Sequence, residues 1–275
     1  MSLIGSSDPG SATSRPLVSI GVPVYNGLPF LEQALASLRA QTYDPIEIVI
    51  SDNASTDGTE ALCRALAAED PRVRYHRNDR NRGLVWNHRN ALALARGEYF
   101  MFAPYDDHFA PTYVERCVEL LEREPGHAYV FAETMLIDAT GEPIGRELAR
   151  QRLTDPSTST RFWDVLVVQG GINFYGLARR EMWDTIGDYV AVPRAERIML
   201  AEMALHGTFG VLPADLYFRR IHAGQITAMR RDRRKEAAVL DPSRSRGPRG
   251  TVAFIVAEYF LGYVAAILRA PLPRT

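Results

Sequence analysis

The fold of this chain is decided by the run Leu17-Val18-Ser19-Ile20-Gly21-Val22-Pro23-Val24-Tyr25-Asn26-Gly27. Its first eight residues are mostly apolar, which is typical of a buried strand, and Tyr25-Asn26-Gly27 is typical of the turn that ends one. Directly after it, apolar residues recur at helical spacing and predict a helix over Pro29–Gln41, with the proline in its first turn. The chain therefore opens as strand, turn and helix.

The same alternation continues further along the chain. The further predicted strands are Ile46–Ser51, Arg72–His76 and Glu98–Ala103, and the further predicted helices run from a capping box at Asp57–Glu60 through Ala68 and over Leu84–Arg96. Strands and helices alternating at this spacing predict an α/β fold, with a Rossmann-like, mostly parallel sheet and helices on both faces.

Composition narrows the class of protein. The chain has 275 residues, of which 46% are hydrophobic and 24% charged, as expected for one folded domain with or without an appended subdomain. The formal net charge of -1 provides no overall field for nucleic acid or membrane. The only cysteines, Cys63 and Cys117, lie in apolar helical contexts, which suits a reducing compartment such as the cytoplasm.

Both ends of the chain differ from its centre. Residues 1–15 are rich in Ser, Gly, Ala and Pro without an apolar h-region, and we expect a disordered leader instead of a signal peptide. The many arginines of residues 226–250 predict a basic loop, which could cover a diphosphate or contact an anionic lipid-linked acceptor. The stretch lacks the interleaved aromatic residues of a nucleic-acid site. Val252–Leu268 is apolar except for Glu258 and is short for a membrane span. We predict a C-terminal helix in 251–275 that docks on the domain, with membrane-surface contact or a homodimer as the alternative.

Polar side chains follow three of the predicted strands. They are Tyr25 and Asn26, Asp52 and Asn53, and the adjacent carboxylates of Asp106 and Asp107. In parallel sheets ligands bind in the crevice beyond the carboxyl ends of the strands. Two neighbouring carboxylates repel each other unless hydrogen bonds or a hard cation such as Mg²⁺ or Mn²⁺ holds them. An ordinary turn or helix cap is the other interpretation of each position.

Two common phosphate-binding motifs are missing from the sequence. No Gly-x-Gly-x-x-Gly follows the first strand, and no Gly-x-x-x-x-Gly-Lys-Ser/Thr occurs, which disfavours a dinucleotide dehydrogenase and a P-loop enzyme. Without a glycine cradle or a lysine, a diphosphate would need a cation, and the Asp106–Asp107 pair could hold one.

Taken in order, these stretches resemble the family 2 glycosyltransferases of the GT-A fold. The resemblance is carried by Pro16–Asn26, Gln41–Tyr43, Glu47–Thr59, Asn81–Gly83, Asn90, Gly97–Tyr99, Asp106–Asp107, Tyr175–Arg180 and Arg219–His222. It implies one domain over residues 16–225, with a nucleotide-binding half (16–108) and an acceptor half (109–225). It also implies an enzyme of cell-wall or polysaccharide biosynthesis, cytoplasmic or peripheral at the inner face of the membrane.

The reaction that the resemblance implies is transfer of a sugar, with inversion, from a nucleotide-diphosphate donor to a hydroxyl acceptor. A UDP- or dTDP-sugar is favoured as donor, and a saccharide, lipid-linked or small-molecule compound as acceptor. The implied nucleotide pocket consists of Pro23, Tyr25, Asn26, Asp52 and Asp106. Within it Asp52 would accept a hydrogen bond from the base and Asp106 would lie near the ribose. Asp107 and His222 would hold Mn²⁺ or Mg²⁺, which offsets charge on the departing diphosphate.

Inversion by single displacement also needs a general base near the acceptor hydroxyl. The family usually supplies an acid at the start of a helix in the second half, and Glu196 takes that place in the nearest register. Arg197 stands where many relatives carry an aspartate, and Glu202 lies further into the helix. Two interpretations of Glu196 stay open: it is the base, or it is a favourable charge in the first turn of its helix. A separate alternative, suggested by Arg197 and by Tyr105 beside the acidic pair, is a noncatalytic protein that binds nucleotide sugars.

Overall fold

The computed structural model describes residues 15–168, 170–172, 174–187, 190–192, 194–225, 233–243 and 252–272. Apart from Arg15, the expected leader lies outside these residues. The strands are β1 (Val18–Val24), β2 (Ile46–Asp52), β3 (Val73–Arg77), β4 (Tyr99–Phe102), β5 (His108–Phe109), β6 (His127–Ile137), β7 (Pro143–Glu147), β8 (Ala178–Arg179) and β9 (Thr208–Arg220). The helices are α1 (Leu31–Arg39), α2 (Thr59–Glu69), α3 (Leu84–Leu94), α4 (Tyr113–Arg123), α5 (Thr158–Val167), α6 (Arg180–Thr185), α7 (Glu196–His206), α8 (Arg233–Leu240) and α9 (Val252–Arg269).

The strands form two sheets. The first has the order β3-β2-β1-β4-β8, in which only the edge strand β8 is antiparallel to its neighbour. The second has the order β5-β9-β6-β7, with β6 and β9 parallel. The predicted α/β fold with a mostly parallel sheet is thereby confirmed.

Helices cover both faces of the first sheet, as β4 shows. Tyr99 and Met101 pack into the core beneath α1, α2 and α4, whereas Phe100 and Phe102 pack into the core formed with α3, α6 and α7. Successive side chains of a strand point to opposite faces, so a strand covered on both sides is apolar throughout. Every residue of β1 is buried for the same reason.

Two local predictions need correction. The reciprocal capping box is wrong: Asp57 accepts the Thr59 N–H at 2.9 Å, but the Glu60 carboxylate pairs with Arg64 and Arg77. The basic loop of 226–250 is also wrong in part, because α8 occupies its centre and packs against α3. The remainder of that segment, 226–232 and 244–250, lies outside the described residues.

The C-terminal helix α9 docks on the domain through α7. Its buried residues include Tyr263 and Ala266, and Gly262 lies so close to Ile198 that a β-carbon would approach the Ile198 Cδ1 to 2.7 Å. The Arg269 guanidinium donates at 2.7 and 2.8 Å to the carboxylate of Glu202 on α7, which is 1% exposed. An ion pair at one end and close helix packing along the middle therefore hold α9 in place.

Within the described residues, the structure contains no helix with both the length and the apolar character needed to cross a bilayer.

The ion pair between α7 and α9 predicts an asymmetric response to mutation. Arg269→Met should lower the free energy of unfolding by about 3 kcal/mol, because it leaves the buried Glu202 carboxylate without its cation. Glu202→Gln should cost less, since Arg269 is 42% exposed in its side chain and reaches water. Urea unfolding at neutral pH measures both values, and an Arg269→Met variant as stable as the wild type would contradict the account.

Candidate nucleotide and metal site

The candidate site lies at the carboxyl ends of β1, β2 and β4, which point to the same edge of the sheet. Pro23 is buried within β1, and Tyr25, just beyond the strand, is 42% exposed. Tyr25 thus presents an open aromatic ring, whereas the predicted pocket residue Pro23 is enclosed in the strand. An exposed ring at a strand end is suited to stacking on a flat ligand such as a base.

Asn26 has a structural role in this crevice. Its φ is +52°, a left-handed conformation that asparagine tolerates better than most residues. Its N–H donates to the Ser55 hydroxyl at 2.8 Å, and its side-chain oxygen accepts the Thr56 N–H at 2.8 Å. Asn26 therefore fixes the turn after β1 to the loop after β2 and holds Tyr25 in its exposed position.

Asp52 is enclosed by the protein. Its carboxylate accepts the Ser55 N–H at 2.9 Å, the Tyr75 hydroxyl at 2.6 Å and the Arg77 guanidinium at 3.1 Å, and the residue has no exposed surface. The structure therefore argues against the predicted contact between Asp52 and the base. Its charge is used to tie the loop after β2 to β3.

Asp107 is also enclosed, which revises the predicted division of labour in the acidic pair. One carboxylate oxygen accepts the Arg220 N–H at 2.7 Å, the other accepts the Tyr217 hydroxyl, and the residue is 4% exposed. Burial, followed by the neighbouring Asp106 charge, raises the pKa of Asp107 to about 7. Asp107 anchors the end of β9 and is poorly placed as the principal metal ligand.

Asp106, not Asp107, is the carboxylate that contacts His222, the other predicted metal ligand. Its Oδ2 lies 2.9 Å from the Nε2 of His222, and the two side chains keep exposures of 12% and 11%. The His222 ring packs on Phe30, their centroids 4.5 Å apart, so the contact also reaches the segment between β1 and α1. The structure thus brings His222 to Asp106, the residue predicted for the ribose.

The donor atoms of Asp106 and His222 fit a divalent cation whose remaining ligands would come from a diphosphate. Carboxylate oxygen and imidazole nitrogen both suit Mn²⁺, and Mg²⁺ commonly takes one or two carboxylates together with substrate phosphates and water. Across the part of the chain that the structure describes, no group of three or more His, Cys, Asp or Glu side chains is arranged to hold a metal. A cation at Asp106 and His222 would therefore depend on the substrate for further ligands.

Arg220 organises this corner and was not predicted as a site residue. It is 2% exposed, and its guanidinium donates to the backbone oxygens of Asp106, Asp138 and Ala139 and to the Gln33 side chain. It also stacks 4.9 Å above the Phe30 ring. A signal was present in the sequence, because Arg220 lies two residues before His222 within the stretch Arg219–His222 that carries the family resemblance.

The predicted base, Glu196, and the acidic pair share one electrostatic neighbour, Tyr175. Glu196 is the first residue of α7 and is half-buried. Tyr175 connects the two regions: its ring lies 5.8 Å from that of Tyr217, and burial and then the charges of Asp107, Asp106 and Glu196 raise its pKa. Glu196 is thus close enough to the acidic pair to share an electrostatic neighbour with it.

Arg197, which stands where many relatives carry an aspartate, has a structural role. Its guanidinium donates to the carbonyls of Val165, Leu166 and Val168 at 2.6, 3.1 and 3.3 Å. Those carbonyls end α5, where a helix leaves acceptors without backbone partners. Arg197 caps α5 and therefore contributes to packing, whereas Glu196 keeps its position at the start of α7.

A sequence comparison decides the family. Residues 19–187 match the model described as glycosyl transferase family 2. This chain belongs to that family. The matched range includes Asp106 and Asp107 but ends before Glu196 and His222, whose roles remain expectations.

Two curated relatives align with about half of this chain or somewhat more. The chain is 33% identical over 136 residues to a chondroitin synthase of Escherichia coli, an alignment that covers 49% of this chain and 20% of that protein. It is 27% identical over 168 residues to the GalNAc(5)-diNAcBac-PP-undecaprenol beta-1,3-glucosyltransferase of Campylobacter jejuni, covering 61% of this chain and 53% of that protein. The chain thus spans about half or less of these relatives.

Solved structures confirm the GT-A fold. The S. aureus TarS fragment 1-349 in complex with UDP-GlcNAc superimposes with a TM-score of 0.60 at 16% identity, covering 93% of this chain and 81% of that one. The mannosyltransferase PcManGT from Pyrobaculum calidifontis, in complex with GDP-Man and Mn²⁺, gives 0.59 at 20% identity, covering 94% and 74%. At these identities the likeness concerns the fold.

The unequal burial of the acidic pair predicts unequal effects on stability. Asp107→Ala should lower the free energy of unfolding by on the order of 2–3 kcal/mol, because the Tyr217 hydroxyl and the Arg220 N–H lose their buried acceptor. Asp106→Ala should cost less, because the described side-chain partner of its carboxylate is the His222 ring alone, and the carboxylate keeps some contact with water. Chemical denaturation of both variants measures this, and equal losses would contradict the assignment of Asp107 as the anchor.

Proposed function

We propose that this protein is an inverting glycosyltransferase that moves a sugar from a nucleoside-diphosphate donor to an acceptor hydroxyl. The observation that carries the proposal is the Asp106–His222 pair, 2.9 Å apart, in a crevice that also presents the exposed ring of Tyr25. A ring for a base and a cation site for a diphosphate are the two features such a donor needs. Membership of family 2 supports the same reaction class.

The proposed sugar donor is defined only by its chemical class, the nucleoside-diphosphate sugars. The preference for UDP or dTDP depended on a contact between Asp52 and the base, and Asp52 has no exposed surface. The two structural neighbours hold UDP-GlcNAc and GDP-Man. The proposal therefore covers nucleoside-diphosphate sugars, with the base selected by groups around Tyr25.

A divalent cation is part of the proposal. Asp106 and His222 would hold it, and the complex of PcManGT with GDP-Man and Mn²⁺ supports the choice of metal. A cation bound there offsets the negative charge that develops on the departing diphosphate. Arg220 supports these ligands by holding the Asp106 backbone.

Glu196 is proposed as the general base. In the transfer, the bond between the anomeric carbon and the diphosphate oxygen breaks, its electron pair stays with the diphosphate, and the acceptor oxygen bonds to the opposite face of the carbon. The acceptor proton passes to the Glu196 carboxylate, whose charge acts on Tyr175 together with those of Asp106 and Asp107. Glu202 is unsuited to this task, because it is 1% exposed and bound to Arg269.

The acceptor is proposed to be a saccharide or a lipid-linked compound. The names of the two curated relatives, a chondroitin synthase and an undecaprenol-linked glucosyltransferase, support these classes. A role in building a cell-surface polysaccharide on the cytoplasmic side follows from the same proposal.

Replacement of the base separates catalysis from binding. With Mn²⁺, Glu196→Gln should lower transfer or donor hydrolysis by about 10²–10⁴-fold, because the amide accepts no proton, and should leave nucleotide affinity unchanged. Glu181→Gln, an exposed acid on α6, is the matched control and should retain wild-type rates.

The same assay tests the noncatalytic alternative. Wild-type protein that binds nucleotide sugars yet turns none over with any acceptor would favour a binding protein. Unchanged turnover in Glu196→Gln would instead remove Glu196 from the mechanism while leaving the glycosyltransferase assignment intact.

A further inference from the structure

Helix α9 is apolar on two opposite sides. One side packs against α7, with Ile255, Tyr263 and Ala266 buried, and the Tyr259 hydroxyl donates to the Arg194 carbonyl at 3.2 Å. The other side carries exposed large apolar residues, of which Phe260 (68% exposed) and Leu268 (79%) are the most open. Among the described side chains of α9, the set comprises Phe254, Val256, Phe260, Leu261, Ile267 and Leu268.

These residues form one continuous surface, which we call the outer face of α9. At 100° per residue they occupy, together with Ala253 and Ala257, an arc of about 160° around the helix. Among the exposed residues of α9 whose side chains the structure describes, Arg269 alone carries a charge, and it lies in the last turn. A contiguous apolar surface of this kind marks a site of contact with another apolar phase.

We propose that the outer face of α9 docks on the surface of an anionic lipid bilayer. The described helices include none able to cross a membrane, so α9 would lie in the plane of the interface with its outer face among the acyl chains. The chain leading into α9 supports this choice of partner: residues 230–249 contain eight basic and three acidic residues. A basic segment adjoining an apolar helix is attracted to anionic headgroups.

A second copy of the chain fits the outer face less well. In a two-fold symmetric dimer the same patch meets itself, so two helices that each follow the same net basic stretch of sequence would meet. Like charges would then oppose association, whereas anionic lipid offers the opposite charge. Charge complementarity therefore favours the bilayer.

Membrane docking would also orient the site, a consequence that rests on the proposed function. The α9 helix packs on α7, and α7 begins at Glu196. A bilayer beneath α9 would therefore lie on the side of the protein that carries the proposed base. This orientation suits an acceptor that is itself held in the bilayer.

Vesicle flotation of the full-length protein tests the proposal. The wild type should float with vesicles of phosphatidylcholine containing about 30% phosphatidylglycerol, float far less with phosphatidylcholine alone, and be released in part by about 1 M salt. Phe260→Glu combined with Leu268→Glu should reduce flotation at least about tenfold, because it places two carboxylates on the outer face. Ile144→Glu, at an exposed apolar position on β7, is the matched control and should float like the wild type.

Two further measurements keep the test independent of folding defects and of catalysis. Nucleotide binding by the double variant should equal that of the wild type, since both positions are exposed and neither belongs to the proposed nucleotide or metal site. Hydrogen exchange in α9 of the wild type should slow when anionic vesicles are added. The proposal is overturned if the wild type does not bind anionic vesicles, or if the double variant floats as well as the wild type. It is also overturned if the wild type is a dimer that binds no vesicles and the double variant, unlike Ile144→Glu, is a monomer.

Discussion

The candidate site depends on one buried carboxylate, that of Asp107. It draws the end of β9 onto the end of β4 by accepting the Arg220 N–H and the Tyr217 hydroxyl. With the strand held there, the Arg220 guanidinium reaches the Asp106 carbonyl, and His222 reaches the Asp106 carboxylate. Burying an ionised carboxylate beside a second one costs free energy unless hydrogen-bond donors surround it. The strand β9 that supplies those donors to Asp107 also positions the Asp106–His222 pair.

The sequence predicts the frame of the site better than the roles within it. Apolar runs and helical spacing locate the four parallel strands of the first sheet and the helices between them to within a few residues, because both signals are local; the two-residue edge strand β8 is not among the predicted strands. Whether Asp106 or Asp107 stays open is decided by β9, whose Tyr217 and Arg220 lie 110 and 113 residues further along the chain. Likewise, Asp52 is enclosed by Tyr75 and Arg77 of a neighbouring strand. Burial arising from such distant partners leaves no local pattern.

Family membership and physical structure support different parts of the account. The family match identifies the reaction class and covers the acidic pair. The second half of the site depends on contacts: Arg197 caps α5 and Glu202 binds Arg269, which leaves Glu196, at the start of α7, as the candidate base. The same helix α7 links the crevice to α9, so the proposed base and the apolar outer face of α9 belong to one packed unit.

The central claim is that Asp106 and His222 form a cation site completed by the diphosphate of a nucleotide. Isothermal titration calorimetry of UDP, dTDP and GDP, each with and without Mn²⁺, tests it most directly. The account predicts that Mn²⁺ tightens nucleotide binding to the wild type by about tenfold or more, worth at least ~1.4 kcal/mol. It also predicts that Asp106→Asn abolishes this gain while leaving metal-free binding unchanged. Binding that is indifferent to Mn²⁺, or an equal gain in Asp106→Asn, would contradict it.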